Sequence, residues 1–366
     1  MEQHTLRAIQ SVTSDAPTED LPLWMRQARR RTDWGVILVV LLSLCISWSF
    51  LTRSGINLNS ASLNHGFMAA DIADGLREGH LYPRWSPHAF GGYGAPIPDY
   101  YPPGAAYTVA LAEVLFTNDT ETALRLIYAL APLLAGSMVY AFVSRRTGAP
   151  EGMLAALLYV FSPYFGLVAP HILGDLPGVL VLVLIPALLR SVNRLLMVNQ
   201  PTDFVWIALA TAALLLTRPS GLLAGIALSL ILILLHLMDR KRWWRVLLVT
   251  IAMVIGVTMA AMYWLPALLE LNAVHWIPPD FPAISHILTL SDFLAPLRQI
   301  DPGELAPTAQ FTPGWVVLGF ALVGLIGATT HHHAYRHQLA FLVAAIALIA
   351  GTVLFAPQIT ELTGII

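Results

Sequence analysis

The sequence is poor in charge. Of its 366 residues only 11% are Asp, Glu, Lys or Arg, against 57% hydrophobic, and the mean hydropathy is +0.67. Soluble domains carry roughly 25% charged residues, so a water-solvated globule is excluded. Cysteine is scarcer still. Cys45 alone cannot form a disulfide framework or a cysteine metal cluster within one chain, and its place in an apolar run reads as a buried thiol. A net charge of −2, with no basic domain, argues against a nucleic-acid partner. Nucleophile elbow, Walker loop and dinucleotide fingerprint are all absent, and neither cofactor nor metal is expected. The cluster His331, His332, His333 and His337 lacks carboxylate or cysteine partners at ligand spacing and reads as a polar loop.

What the sequence does have is long apolar runs. A membrane-spanning helix needs about 20 mostly apolar residues. Nine runs qualify as candidates, at 35–53, 122–144, 152–170, 176–196, 204–219, 221–238, 246–268, 314–330 and 338–356. The expected fold is therefore all-α, a polytopic transmembrane helix bundle. The fourth and fifth runs are the weakest: Arg190 and Arg194 in the fourth must snorkel to an interface, and the fifth meets Arg218 early. Thirty-four residues precede the first run and no A-x-A pattern follows it, so it does not read as a cleaved signal peptide.

Orientation follows from the distribution of Lys and Arg. With the N-terminus cytoplasmic, that side collects Arg7, Arg26, Arg29, Arg30, Arg31, Arg145, Arg146, Arg190, Arg194, Arg240, Lys241, Arg242, Arg245 and Arg336. That is 14 of the 20 basic residues, leaving Arg53, Arg77, Arg84, Arg125, Arg218 and Arg298 outside. The expectation is a multi-pass plasma-membrane protein with its N-terminus inside and its C-terminus outside. Residues 1–34 are a cytoplasmic polar tail, 35–356 the bundle with outer loops 54–121 and 269–313, and 357–366 a short outer segment.

The first outer loop has three parts. Residues 64–79 read as an amphipathic helix on the membrane surface, with Asn64 as N-cap and Gly79 just past its end. Met68, Ile72 and Leu76 form its apolar stripe, with Asp71, Asp74 and Glu78 on the opposite face. The stretch Leu81–Gly104 holds six prolines and six aromatics, which excludes helix and predicts an ordered cap with Trp85 and Tyr93 mostly buried or at the lipid interface. Gly91-Gly-Tyr-Gly is no phosphate loop, because neither strand nor helix flanks it. Ala105–Phe116 is too short to span and predicts a second surface or re-entrant helix, followed by a sequon at Asn118. Farther along, His171 and Asp175 lie in a turn between the third and fourth spans, where Asp175 also suits an N-cap with Pro177 at the first helical position.

Several motifs in order resemble a known family. Gly79-His-Leu-Tyr-Pro-Arg-Trp85, Gly92-Tyr-Gly-Ala-Pro96 and Asp99-Tyr-Tyr-Pro-Pro103 are similar to the first outer loop of bacterial membrane proteins related to 6-pyruvoyl-tetrahydropterin synthase. Ser162-Pro-Tyr164, Trp264-Leu-Pro-Ala-Leu-Leu-Glu270 and Leu290-Ser-Asp-Phe-Leu-Ala-Pro296 extend the likeness over about 60–330. These proteins resemble GT-C glycosyltransferases in organisation. The resemblance implies a first-loop carboxylate acting on the acceptor and a polyprenyl-phosphate-linked sugar as donor; no residue supports pterin chemistry. Two departures stand out: Ser62 where an acidic residue is usual, and His171 with Asp175 where an Arg and Glu pair is usual. Relatives also continue past the ninth span, so the chain reads as a fragment or a reduced member.

The resulting expectation is a glycosyltransferase acting on a cell-envelope acceptor at the outer face, with Asp71, Asp74 and Asp175 as catalytic candidates. His65, Arg84, Tyr93, His171 and Arg218 are the substrate-binding candidates, the arginines for a lipid phosphate. These groups should converge on one cavity. A non-catalytic assembly partner and a transporter or lipid flippase are the alternatives; span centres almost free of charge count against ion-coupled transport.

Overall fold

The computed structural model describes residues 33–52, 61–240, 243–270, 294–296, 312–330, 343 and 346. Among these the chain is helical with no strand, and one isolated bridge joins Ser86 to Ala95. The expected N-terminal tail, most of the second outer loop, the histidine cluster, the ninth run and the C-terminal segment lie outside the described residues.

Helix α1, Trp34–Thr52, is apolar throughout and buries only Val39, Ser43 and Ser47. That i, i+4, i+8 stripe of small side chains packs on a later helix, and the Ser47 hydroxyl donates to the Ala129 carbonyl at 2.6 Å. Cys45 lies off the stripe and is exposed, so the buried-thiol expectation is corrected. Helix α2, Ser62–Arg77, and α3, Gly104–Ala112, which continues as a π-helical turn to Thr117, pack on each other beside the bundle. The bundle itself runs through α4, Thr120–Thr147, then α5, Ala149–Val160, with its π-helical extension Tyr164–Leu173. It continues with α6, Leu176–Met197, α7, Pro201–Thr217, and α8, Pro219–Arg240. Helices α9, Trp243–Met259, and α10, Ala261–Leu269, form a pair bent by 64°, and α11 is Trp315–Thr330.

Among the described residues five helices are long and apolar enough to cross a membrane, and the bent pair makes a sixth if its two parts form one span. The nine expected spans are not all realised at full length. The run at 204–219 folds as α7, only 17 residues, because Arg218 is extended before Pro219 and the helix cannot pass it. Seventeen residues rise about 26 Å, short of a roughly 30 Å hydrocarbon core. The run at 314–330 gives the 16-residue α11.

Alternating directions place residues 52, 61–120, 173–176, 217–219 and 259–270 at one end, here the cap end. Cross-links confirm it: Ala61 N–H donates to the Leu173 carbonyl at 2.9 Å, and Arg125 to the Phe50 carbonyl at 3.0 Å. At the far end, Tyr140 donates to Asp33 at 2.7 Å, and Arg245 to the carbonyls of Leu196 and Met197.

The amphipathic-helix expectation for 64–79 holds at its end, with Gly79 left-handed at φ +90° just past the helix, but neither at its start nor in its placement. The N-cap position is Ala61 rather than Asn64. Met68, Ala69, Ile72 and Ala73 join Val109, Leu124, Phe165 and Leu176 in one core, so α2 is packed into the protein rather than laid along its surface. Asp71 goes in with them.

The cap is ordered as expected, but by different contacts. Its tip turns through left-handed residues, Phe90 at φ 51°, Gly91 at 69°, Gly92 at 96° and Gly94 at 76°, which accounts for the glycines of that motif. Trp85 is 53% exposed and Tyr93 91% exposed, so neither is buried within the protein, and of the two expected places only the lipid interface is left to them. Hydroxyls and ion pairs anchor the segment instead. Tyr82 donates to the Pro98 carbonyl at 3.0 Å, Tyr107 to that of Leu81, and Tyr100 to that of Glu270 at 3.3 Å.

Candidate functional site

The cap end holds two charged centres, and α2 connects them. The first surrounds Asp175. This residue caps α6, accepting the Gly178 N–H at 3.1 Å, and takes a guanidinium hydrogen bond from Arg218 at 2.5 Å. Both roles follow from local sequence. Pro177 in the first turn needs no hydrogen bond from its nitrogen. The extended Arg218 stops α7 and turns its side chain across the helix ends. His65 on α2 is buried and lies within electrostatic reach of both partners. Burial holds its pKa below the ordinary histidine value; the Asp175 charge opposes that and the Arg218 charge adds to it. Tyr101 reaches the same pair, and burial pushes its phenol upward. Ser62 hydrogen-bonds with Tyr128 at 3.2 Å beside it.

The second centre is a cleft of about 830 Å³ between α2 and the cap, lined by Asp71, Asp74, Arg77, Tyr82, Arg84 and His88 among others. Asp71 is 7% exposed and accepts from Nδ1 of His88 at 2.5 Å. His88 lines the cleft with its side chain 69% exposed, while its Nδ1 is engaged by Asp71. The hydrogen bond that His88 donates to Asp71, and next the Asp71 charge, raise the His88 pKa above the ordinary value. Asp74, by contrast, is exposed and paired with Arg77 at 2.8 Å. Arg77 also binds Glu113 at 2.7 Å, and Arg84 binds Asp99 at 2.7 Å and Glu270 at 3.4 Å. Among the described residues no group of three or more acidic, histidine or cysteine side chains is arranged to hold a metal ion.

The sequence-derived candidates therefore divide. Asp71, Asp74 and Arg84 line the cleft, while Asp175, Arg218 and His65 form the other centre. His65 stands six residues before Asp71, roughly 9 Å along the helix axis. His171, a substrate-binding candidate, hydrogen-bonds with Ser49 at 3.2 Å and stacks on Phe50 with centroids 4.2 Å apart. Tyr93 projects from the cap tip. Sequence reasoning missed His88 and the buried acids Asp99 and Glu113. Glu113 left a signal, since it interrupts an apolar run and must find a cation; Asp99 and His88 left only their place in an aromatic, proline-rich segment.

A family model described as 6-pyruvoyl-tetrahydropterin synthase related domain, membrane protein, matches residues 99–363. The chain belongs to this family. No curated protein and no solved structure gave a match. Within the family domain fall Asp99, Asp175 and Arg218, whereas α2 with His65 and Asp71 precedes it. Family membership and the spanning helices agree on a multi-pass membrane protein in contact with the lipid bilayer.

Proposed function

We propose that the chain is a glycosyltransferase that moves a sugar from a polyprenyl-phosphate donor to a cell-envelope acceptor, working at the cap end on the outer face of the plasma membrane. The observation that carries this reading is the Asp71–His88 pair in the wall of the cleft, a buried carboxylate 2.5 Å behind an exposed imidazole. Asp71 orients the ring and stabilises its charged form, leaving Nε2 to take the acceptor's proton. As the acceptor oxygen bonds to the anomeric carbon, the carbon–oxygen bond to the lipid phosphate breaks, and the phosphate leaves with that electron pair. Arg84 receives the departing charge by exchanging its long contact to exposed Glu270, while its 2.7 Å bond to Asp99 keeps it in place. The resemblance to GT-C organisation supports the donor class.

The test is sugar transfer by purified protein in detergent from a panel of polyprenyl-phosphate sugars. Transfer from one donor is expected, reduced roughly 10²–10⁴-fold in His88→Gln, which removes the general base, and reduced also in Asp71→Asn, which removes the group that orients it. Transfer from no donor defeats the reading. A normal rate in Asp71→Asn removes Asp71 from it.

A further inference from the structure

Among the described residues, the far end of the bundle holds a cluster of arginines around one carboxylate that the cap-end chemistry does not use. Arg145 and Arg146 lie in the last turn of α4, Arg190 and Arg194 in the last two turns of α6, and Asp203 in the first turn of α7. Helix α6 packs against both α4 and α7, which brings Arg145, Arg190, Arg194 and Asp203 together, and Arg146 reaches α6 at Asn193, one turn from Arg190. Arg190 is within electrostatic reach of Arg194, Arg145 and Asp203, and Asp203 of Arg194, Arg190 and Arg145. The carboxylate is already engaged: buried Asp203 sits 3.2 Å from Arg194, which also donates to Gln200 at 2.7 Å. Arg146 donates to the side-chain carbonyl of Asn193, a neutral group that offsets no charge. The Nε groups of Arg146 and Arg190 are shielded from solvent and meet no hydrogen-bond acceptor among the described residues.

A topology bias alone does not produce this arrangement. Positive-inside selection puts basic residues in the connecting loops. Here the loop from α6 to α7, Val198-Asn-Gln200, is uncharged, and the arginines stand inside the helix instead. Buried donors without acceptors and crowded like charges are both unfavourable, and one anion relieves both. A phosphate suits the site, because the planar guanidinium fork matches its oxygens. The site also lies at the end of a spanning bundle, where basic pockets between helices meet headgroups.

We infer that the arginine cluster where α6 meets α4 and α7 at the far end binds a phosphate-bearing anion, supplied by an anionic phospholipid headgroup or by free phosphate. Arg190 and Arg146 are its principal ligands, with Arg145 beside them and Arg194 held by Asp203 to shape the wall. This site is independent of the cap-end reading, and either can fail alone.

Native mass spectrometry of the full chain released from neutral detergent tests it, with phosphatidylglycerol, phosphatidylcholine and inorganic phosphate as probes. Phosphatidylglycerol is expected to bind about tenfold more tightly than phosphatidylcholine, a difference that Arg190→Gln and Arg146→Gln each largely abolish. Arg125→Gln, at the cap end, should leave it unchanged. Competition by inorganic phosphate assigns the site to phosphate in general, and its failure to compete assigns it to the lipid headgroup. Equal binding of the two lipids, or undiminished preference in both arginine variants, overturns the inference. If the variants do not fold, salt dependence of the wild type decides: retention of phosphatidylglycerol should fall as ionic strength rises, and insensitivity overturns the proposal.

Discussion

At the scale of single residues, the Asp71–His88 pair ties stability and activity to pH in opposite directions. The neighbouring carboxylate raises the His88 pKa in the folded protein. Its contribution to stability is therefore complete below the ordinary histidine pKa and lost as pH rises through the raised value. A base, however, must be unprotonated. We expect kcat/KM for sugar transfer to rise with pH through an inflection above the ordinary histidine value, and Asp71→Asn to move that inflection to lower pH. An inflection that stays put in Asp71→Asn would show that another group titrates. Asp71 was legible as a carboxylate near a membrane surface, but its direction was not. Asp71 is one residue from Ile72, at the edge of the apolar stripe, and periodicity assigned it to the polar face. The decision came from His88, seventeen positions away in sequence, and which distant side chain meets a given carboxylate is a tertiary fact. Asp175 was legible in both of its readings, as a cap and as a charged centre, because the cap is local and Arg218 was already marked at the same end.

At the scale of elements, the apolar runs located most helices, because a run of about 20 residues without charge has few other fates. Breaks inside the runs were less legible. The π-helical segment after Pro163 and the 64° bend after Met259 depend on how neighbouring helices pack, and the apolar pattern continues through both. Packing also explains why α3 begins where it does. A side chain at Gly104 would bring its Cβ to 2.8 Å from the Leu216 backbone, so α3 abuts α7 with no room for a methyl group. Backbone cannot yield as a flexible side chain can. Gly104→Ala is expected to destabilise by about 1–3 kcal/mol, the usual cost of overpacking, read as a lower unfolding midpoint in detergent. An unchanged midpoint would mean that α3 and α7 are less tightly apposed than 2.8 Å.

At the scale of the whole molecule, the two ends of the bundle differ in kind. The cap end gathers the described carboxylates Asp71, Asp74, Asp99, Glu113 and Asp175, each paired with a histidine or an arginine. The far end gathers Arg145, Arg146, Arg190, Arg194 and Arg245, with Asp203 buried among them. Among the described residues the cap end also holds Arg77, Arg84, Arg125 and Arg218, so the expectation that the far end is cytoplasmic rests on the sequence count of Lys and Arg. Accessibility tests this directly. Tyr93, at the exposed cap tip, and Glu151, exposed at the start of α5, mark opposite ends. In a Cys45→Ser background, Tyr93→Cys should react with a membrane-impermeant maleimide added to intact cells, whereas Glu151→Cys should react only after the membrane is opened. The reverse pattern would invert the topology. It would place the cleft, Asp71 and His88 in the cytoplasm, and the outer-face transfer reaction would then have no site.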